Sequence, residues 1–577
     1  MNVIKDTIMK KTYWMILAAG MMCLAACHTE QDFLESEQGQ EAEMWTEVIT
    51  ATVADDATKA TVADGGTFGW VGGTDMIAVH TTTGYVTSTA ADATGASANF
   101  SVTYPYSSTR DAYAIFPSYL VTPSAANYGQ AGHTLDVTLP GTYTLEQVSG
   151  TATPCPMIAT NTPGAGWAFK QICGLLRLTV TGIPSETRKL TVKFNGMNVS
   201  GTFAVQNPAT STPYIESAPY YSSDRETADD VITITSESDI ANGTVVNIPL
   251  PTRTYSDIVV MAYDAAGNGT MVGITTVGTD ATYTVNRAVG KKRSIELDNN
   301  KFFSIADKKY AFIAPGNLQY QASMGTWRFA TYQYETIGIN PGNTTVEGRA
   351  TQSDWIDLFG WGTSGWEGIG DAEGRFPYSN AYGTQAWRHY GSNRDFSAIS
   401  QSLVGAYKRG DWGMFNTIGS DQPGTWRTPT GNSSGEWKYL ITSRGIENRF
   451  VKATVNNVEG LILLPDYYVL ESEAFNNMNV KSSAYSGNEF DVDGWNALAN
   501  KGAIFLPVSA WRNSNDSGNI NVSGDRGRYW ASTAIEKGTG ENYSNGDCLK
   551  FWPATVVDAG WDDRSHGFSV RLIRDLN

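Results

Sequence analysis

Along residues 46–299, apolar and polar positions alternate with a period of two, in short runs that predict strands with one buried face. The runs "WTEVITATV", "DMIAVHT", "DAYAIFP", "GLLRLTVTG", "KLTVKFNG", "DVITIT", "GTVVNIPLP" and "DIVVMAYD" alternate in this way or form short buried stretches. Turn residues such as "DGG", "PGAG" and "GNGT" separate them. Many short strands at this spacing predict β-sandwiches, and the length fits two, 46–182 and 183–299, joined near "TGIPSE".

After residue 300 the pattern changes. A helical period places Trp355, Leu358 and Phe359 on one face of "SDWIDLFGWG", and Trp437, Leu440 and Ile441 on one face of "SSGEWKYLITSRG". A third helix is predicted over "DGWNALANKG", with Trp495, Leu498 and Ala499 inward, Asp493 as cap and Gly502 at its end. Strands follow in "GLILLP", "GAIFLPVSAWR", "RYWAST", "CLKFWP" and "GFSVRLIRD". In the last of these, Phe568, Val570 and Leu572 should face the core, with Ser569 and Arg571 on the other side. The fold class is therefore mainly β plus α+β: two tandem sandwiches, then an α+β domain over 300–577.

Composition sharpens this division. Thirteen of the 17 tryptophans lie after residue 300, so the two parts build different kinds of core. Lys+Arg 41 against Asp+Glu 58 leaves a net charge of −17, which argues against nucleic acid or an anionic membrane face as partner. No CxxC or HExxH motif occurs and there are only five histidines, so no metal site and no cofactor is expected. Cys155 and Cys173 can pair in an oxidising compartment or stand as buried thiols.

The first residues are an address. Lys5, Lys10 and Lys11 precede the apolar run "YWMILAAGMMCLAAC", too short for a confident membrane span and ending in small residues. "LAAC", Leu24–Cys27, resembles a bacterial lipobox, which implies a lipoprotein signal peptide over 1–27 and a lipid on Cys27 that holds the precursor in the outer membrane. The acidic stretch 28–45 reads as a disordered linker and resembles the tether of surface lipoproteins.

Residues 46–299 resemble the fimbrillin family of type V pilin precursors, on "ATKATVADGGTFGWVGGTDMIAVHT", "DAYAIFP" and "FKQICGLLRLTVTG". The resemblance implies that a protease cuts after a basic residue, frees the first strand, and opens a groove for a donor strand from a neighbouring pilin subunit. After Cys27 the first basic residue is Lys59 and the next is Arg110, so a cut between Lys59 and Ala60 would release "EVITATV" and expose unpaired backbone groups. A chain that ends inside a packed strand would accept a neighbour's strand but donate none, an expectation of a pilus tip position.

The segments "GTWRTPTGNSSGEWKYLI", "GAIFLPVSAWR", "GRYWASTA" and "GFSVRLIRD" resemble the C-type-lectin-like fold in its formylglycine-generating-enzyme branch, over about residues 422–575. That resemblance implies a scaffold that displays ligand-contacting side chains between the "WAST"-like strand and the last strand. The candidates there are Asn542, Tyr543, Asn545, Asp547, Trp552, Trp561, Asp562, Asp563, Arg564 and His566. Tyrosine and tryptophan supply rigid contact area, while amides, carboxylates and arginine supply directional hydrogen bonds. The implied ligand is a glycan or protein on another cell. Catalysis is not expected, because the branch's chemistry needs cysteines near the C-terminus and this region holds only Cys548. "WDD" at 561–563 resembles a calcium motif of sugar-binding lectins, but "DQPG" at 421–424 lies in the wrong place for its partner. A cell-surface adhesin is the expected function, with a permanently anchored glycan-binding lipoprotein as the alternative.

Overall fold

The computed structural model describes residues 43–53, 69–82, 84–106, 110–121, 135–149, 155–160, 166–194, 197–210, 212–216, 229–255, 258–274, 283–288, 290–321, 324–337, 355–367, 402–431, 434–468, 475–476, 478–512, 520–521, 526–535, 545–553, 555–564 and 566–576. The signal segment, residues 28–42 of the linker, Cys27, Lys59 and Ala60 lie outside these residues, as do Asn542 and Tyr543; the end of the expected linker, Met44 and Trp45, is strand instead. Strand dominates throughout, so the mainly β reading holds.

A seven-stranded sheet runs in the order Gly84–Thr87, Ala78–Thr81, Arg110–Phe116, Met157–Thr160 (β3), Trp167–Gln171 (β4), Met44–Val53 (β1) and Ser97–Pro105 (β2). β1 lies parallel to β4, with Ala51 opposite Trp167 and Val53 opposite Phe169. On its other side the Thr46–Thr103 hydroxyl contact (2.9 Å) and the Thr50–Asn99 hydrogen bond (2.8 Å) set it antiparallel to β2. β1 is thus an inner strand. Ile49 and Ala51 are its buried residues, and the Ala51 carbonyl accepts a hydrogen bond from Trp70 Nε1 at 3.1 Å. The Trp70 ring is caged edge-on by Phe100, Phe116 and Phe169, with centroids 4.9–5.1 Å away. Among the described residues, 43–45 form a small unit of their own with 104–106. In it Tyr106 N donates to Glu43 O, and the Trp45 and Tyr106 rings meet at 6.1 Å.

The strands do not sort at residue 182. Gly174–Thr181 (β5) pairs with Thr244–Leu250 and Gly290–Glu296, facing the sheet of Gly269–Ile274, Val259–Tyr263, Lys189–Lys193, Val231–Thr235 and Thr142–Thr144. Leu176, Leu178 and Val180 of β5 therefore pack in the second core, against Leu190, Val192, Ile232, Ile234 and Val260. Conversely, Gly201–Gln206 pairs with Asp136–Leu139, and Phe203, Val205 and Ile215 join the first core. Alternation marks β5 as a strand but is silent on which sheet receives it.

The second sandwich runs into the C-terminal region without a free linker. Val259, Met261, Tyr263 and Val272 share one apolar cluster with Phe302, Tyr310 and Leu576. Gly269 N donates to Tyr310 Oη (2.8 Å), and Tyr467 Oη donates to Gly269 O (2.6 Å).

Within the C-terminal region a three-stranded sheet, Gly527–Ile535 (β6), Asn545–Trp552 (β7) and Thr555–Asp563 (β8), lies between two cores. Trp530 and Cys548 face Phe568, Trp412 and Trp361, while Tyr529, Leu549 and Phe551 face Trp437, Leu461 and Ile573. Two predicted helices form. Glu436–Lys438 continues as a π-turn over Tyr439–Ser443, and Val492–Ala499 (α1) is an α-helix. The cap of α1 is Asp491, whose carboxylate accepts from Gly494 N at 2.8 Å; Asp493 sits in the first turn instead. The third predicted helix does not form. Trp355–Ile356 is a strand paired with residues 320–321, and Phe359 bridges Phe568. Leu358, Phe359 and Trp361 are all buried, so their spacing reflects a segment enclosed on every side rather than an amphipathic face.

The final strand also differs from the expectation. Only Ile573–Asp575 (β9) is strand, and Phe568 through Leu572 are fully buried on both sides. Arg571 is held inside by Asn317 Oδ1 (3.1 Å), Ala314 O (2.9 Å) and Phe505 O (2.7 Å). Ser569 hydrogen-bonds Ser509 at 2.9 Å.

Candidate functional site

β8 is the edge of the three-stranded sheet and carries three of the described candidates, Trp561, Asp562 and Asp563. Its hairpin with β7 sets Asp563 opposite Asn545, Asp562 opposite Gly546, Trp561 opposite Asp547 and Gly560 opposite Cys548, before the register shifts. Successive side chains on a strand point to opposite faces, so Trp561 and Asp562 do not share one surface.

Trp561 is 54% exposed, the outermost of the described candidates. Lys550 Nζ donates to its carbonyl at 2.7 Å, which fixes the backbone from which the indole projects. Trp552 and Asp563 are half-buried, and Arg526 lies 5.8 Å over the Trp552 ring.

Asp562 is the hub on the other face. It receives Arg528 Nη1 at 2.8 Å, Lys550 Nζ at 3.0 Å and His566 Nδ1 at 2.7 Å. Burial alone would raise its carboxyl, but the His566 hydrogen bond and the Lys550 charge outweigh burial and hold it at about 2. Arg528 in turn lies 4.2 Å over the Trp511 ring, which meets the His566 ring edge-on at 5.1 Å. Arg528, Lys550 and Trp511 were missed as partners of this cluster. The strand pattern of "GRYWASTA" and "CLKFWP" places Arg528 and Lys550 in strands, but the pairing that joins them is long-range.

The other described candidates, Asn545, Asp547, Arg564 and His566, are interior, which corrects the expectation of an outward display for them. Asn545 and Asp547 are 1% and 0% exposed. Asp547 stands so close to Gly431 that a Cβ there would come within 2.4 Å of its Oδ2. Arg564 is fully buried, donates Nε to Asn545 O (3.1 Å) and lies 4.2 Å over Trp361; burial pulls its guanidinium down to about 10. His566 is 7% exposed and committed to Asp562. Cys548 is buried, which pushes its thiol far up, away from nucleophilic chemistry. Asn545, Asp547 and Cys548 sit inward because β7 is the central strand, covered on both faces. Among the described residues no three His, Cys, Asp or Glu side chains converge as metal ligands.

A separate cleft of about 630 Å³ lies elsewhere, lined by Lys189, Lys193, Asp230, Lys309, Arg427 and Asp575 among others. Its ion pairs are internal: Lys193 with Asp230 at 3.2 Å, and Arg427 with Asp575 at 2.6 Å.

No family model and no curated protein matches the chain. Solved structures that align with it include a proposed cell adhesion protein from Bacteroides ovatus, at 12% identity over 43% of this chain and 91% of that one, with a TM-score of 0.26. The tip fimbrial protein Mfa3 from Porphyromonas gingivalis, truncated at its C-terminus, aligns at 13% identity over 45% of this chain and 96% of that one, TM-score 0.18. A fimbrial protein from Bacteroides ovatus aligns at 10% identity over 91% and 97%, TM-score 0.18. TM-scores this low fall short of a shared overall arrangement.

Proposed function

We propose that the chain is a cell-surface adhesin: a pilin-type stalk of two interleaved sandwiches, continuous with a lectin-like head that binds a glycan or protein on another cell. The reading takes its precursor to be an outer-membrane lipoprotein anchored through Cys27, and its mature form to be a pilus subunit, placed at the tip. The observation that carries the binding role is Trp561, a large apolar ring held in water on a sheet edge whose backbone is fixed by Lys550 and whose neighbour Asp562 is locked by three partners. Rigid, exposed tryptophan at a fixed edge supplies contact area at little entropic cost. A glycan and protein array probed with the full chain tests this. Trp561→Ala should lose the retained ligand at least tenfold while the unfolding midpoint stays put; unchanged retention removes the site.

Assembly by donor strand rests on β1. Because it lies between β4 and β2, its removal would open two facing rows of backbone donors and acceptors rather than one. N-terminal sequencing of surface fibres should then find Ala60. Immunogold labelling with a head-directed antibody should mark fibre ends; labelling along the shaft would exclude a tip position.

One observation favours the permanently anchored alternative. Ile49 and Ala51 already fill the slot, and Trp70 already bonds β1, so the uncut chain is a complete sheet. Surface material carrying lipidated Cys27 on the full chain would establish that form.

A further inference from the structure

Two side chains of the first sandwich take no part in the adhesin reading. Cys155 and Cys173 lie in the apolar cluster with Ile115, Ile158, Ile172 and Phe203, 1% and 0% exposed. Both are free thiols, and their Sγ atoms are 3.6 Å apart. The sheet register produces this contact. β3 and β4 pair antiparallel, Met157 opposite Gln171 and Ile158 opposite Lys170. The ladder continues with Ile172 N donating to Pro156 O at 3.0 Å, so the next position sets Cys155 directly opposite Cys173. Hydrogen-bonded and open pairs alternate along such a ladder. The bond falls at 156/172, which makes 155/173 an open pair, where side chains come closest. Open pairs have Cα separations within the range a disulfide spans, and closing the bond brings each sulfur in by about 0.8 Å.

We propose that Cys155 and Cys173 are a built disulfide site, which closes when the chain folds in an oxidising medium and clamps β4 to β3 on the side away from β1. The step is thiol–disulfide exchange. The Sγ–Sγ bond forms, the S–S bond of a disulfide oxidant breaks, and two protons and two electrons pass to the oxidant's sulfurs. Burial, reinforced by the Cys155 contact, holds the Cys173 thiol well above its ordinary range. The attacking thiolate is therefore available before the core closes rather than after. Only the identity of the compartment rests on the surface reading.

The full chain is unfolded, refolded with oxidised glutathione, alkylated under denaturing conditions without reductant, and mapped by mass spectrometry. A cross-linked peptide joining 155 to 173, with Cys548 alkylated, is the expected result. Alkylated Cys155 and Cys173 overturn the proposal. The same map of chain taken from the envelope of producing cells separates the two readings: a cross-link after refolding but thiols in the envelope keeps the disulfide site and removes the oxidising location. Reduction should lower the first sandwich's melting midpoint by roughly 6–12 °C. A Cys155→Ala, Cys173→Ala double variant should melt like the reduced form. Equal midpoints for oxidised and reduced chain would remove the clamp.

Discussion

Asp562 joins three positive or hydrogen-bonding partners to one half-buried carboxylate, and its ionisation is the measurable sign of that arrangement. Its ordinary value is 3.8 and its folded value about 2. A depressed carboxylate contributes stability that is whole above the unfolded value and fades as pH falls through the folded one. The difference corresponds to about 2 kcal/mol, present at neutral pH and lost between about pH 4 and pH 2. Tryptophan fluorescence follows this region, since 13 of the 17 tryptophans lie after residue 300. In denaturant titrations Asp562→Asn should lose about 2 kcal/mol at pH 7 and show a flatter stability profile below pH 4 than the parent. Parallel profiles would mean that the ion cluster is not coupled to folding. Arg571 makes the contrary point about charge. Its position after Val570 in an alternating run reads as solvent-facing, yet it is fully buried, and burial brings its guanidinium down to about 10. Alternation identifies two faces but not whether the second is wet. That depends on Asn317, Ala314 and Phe505, which are 66 or more residues away in sequence. Arg571→Ala would strand those acceptors in the core and should cost about 3–5 kcal/mol, a loss that Arg571→Lys repairs only in part, since a single ammonium replaces the planar fork.

Strands such as β1 and β5 were legible because each writes its period into a long run, 10 and 8 residues, and so was the short helix α1, whose Trp495 and Leu498 recur at helical spacing. Membership of a sheet was not, because β5 and Gly201–Gln206 exchange sandwiches through pairings that no local pattern encodes. The site was half legible for the same reason. "GWDD" pointed to Trp561, but the burial of Asn545 and Asp547 follows from β7 being central. At this scale β1 offers the sharpest test. Ala51 is fully buried and presents its carbonyl to Trp70, so the slot admits a small side chain there. Ala51→Leu overpacks it, at a cost of about 1–3 kcal/mol. After trypsin treatment at Lys59, the fragment carrying β1 should stay bound to the parent chain on native mass spectrometry and dissociate from the Ala51→Leu variant. Equal retention would show that β1 is not seated by this contact.

Over the whole molecule, the change in composition at residue 300 suggested a boundary, and the structure fills that boundary with core. Phe302 is fully buried, its ring 5.2 Å from Tyr310 and 5.4 Å from Tyr467, and Tyr310 lies 6.2 Å from Tyr263 of the second sandwich. Gly269 lets the two sides approach, since a Cβ there would meet Met261 Cε at 2.1 Å and Tyr310 at 2.9 Å. A joint built from core residues couples the unfolding of what it joins, whereas a solvated linker leaves each part its own transition. Calorimetry should therefore give one transition for the second sandwich and the C-terminal region together. Phe302→Ala empties the centre of the cluster, at a cost of about 3–5 kcal/mol, and should split that transition in two. Two transitions already present in the parent would mean that the joint does not bind the parts.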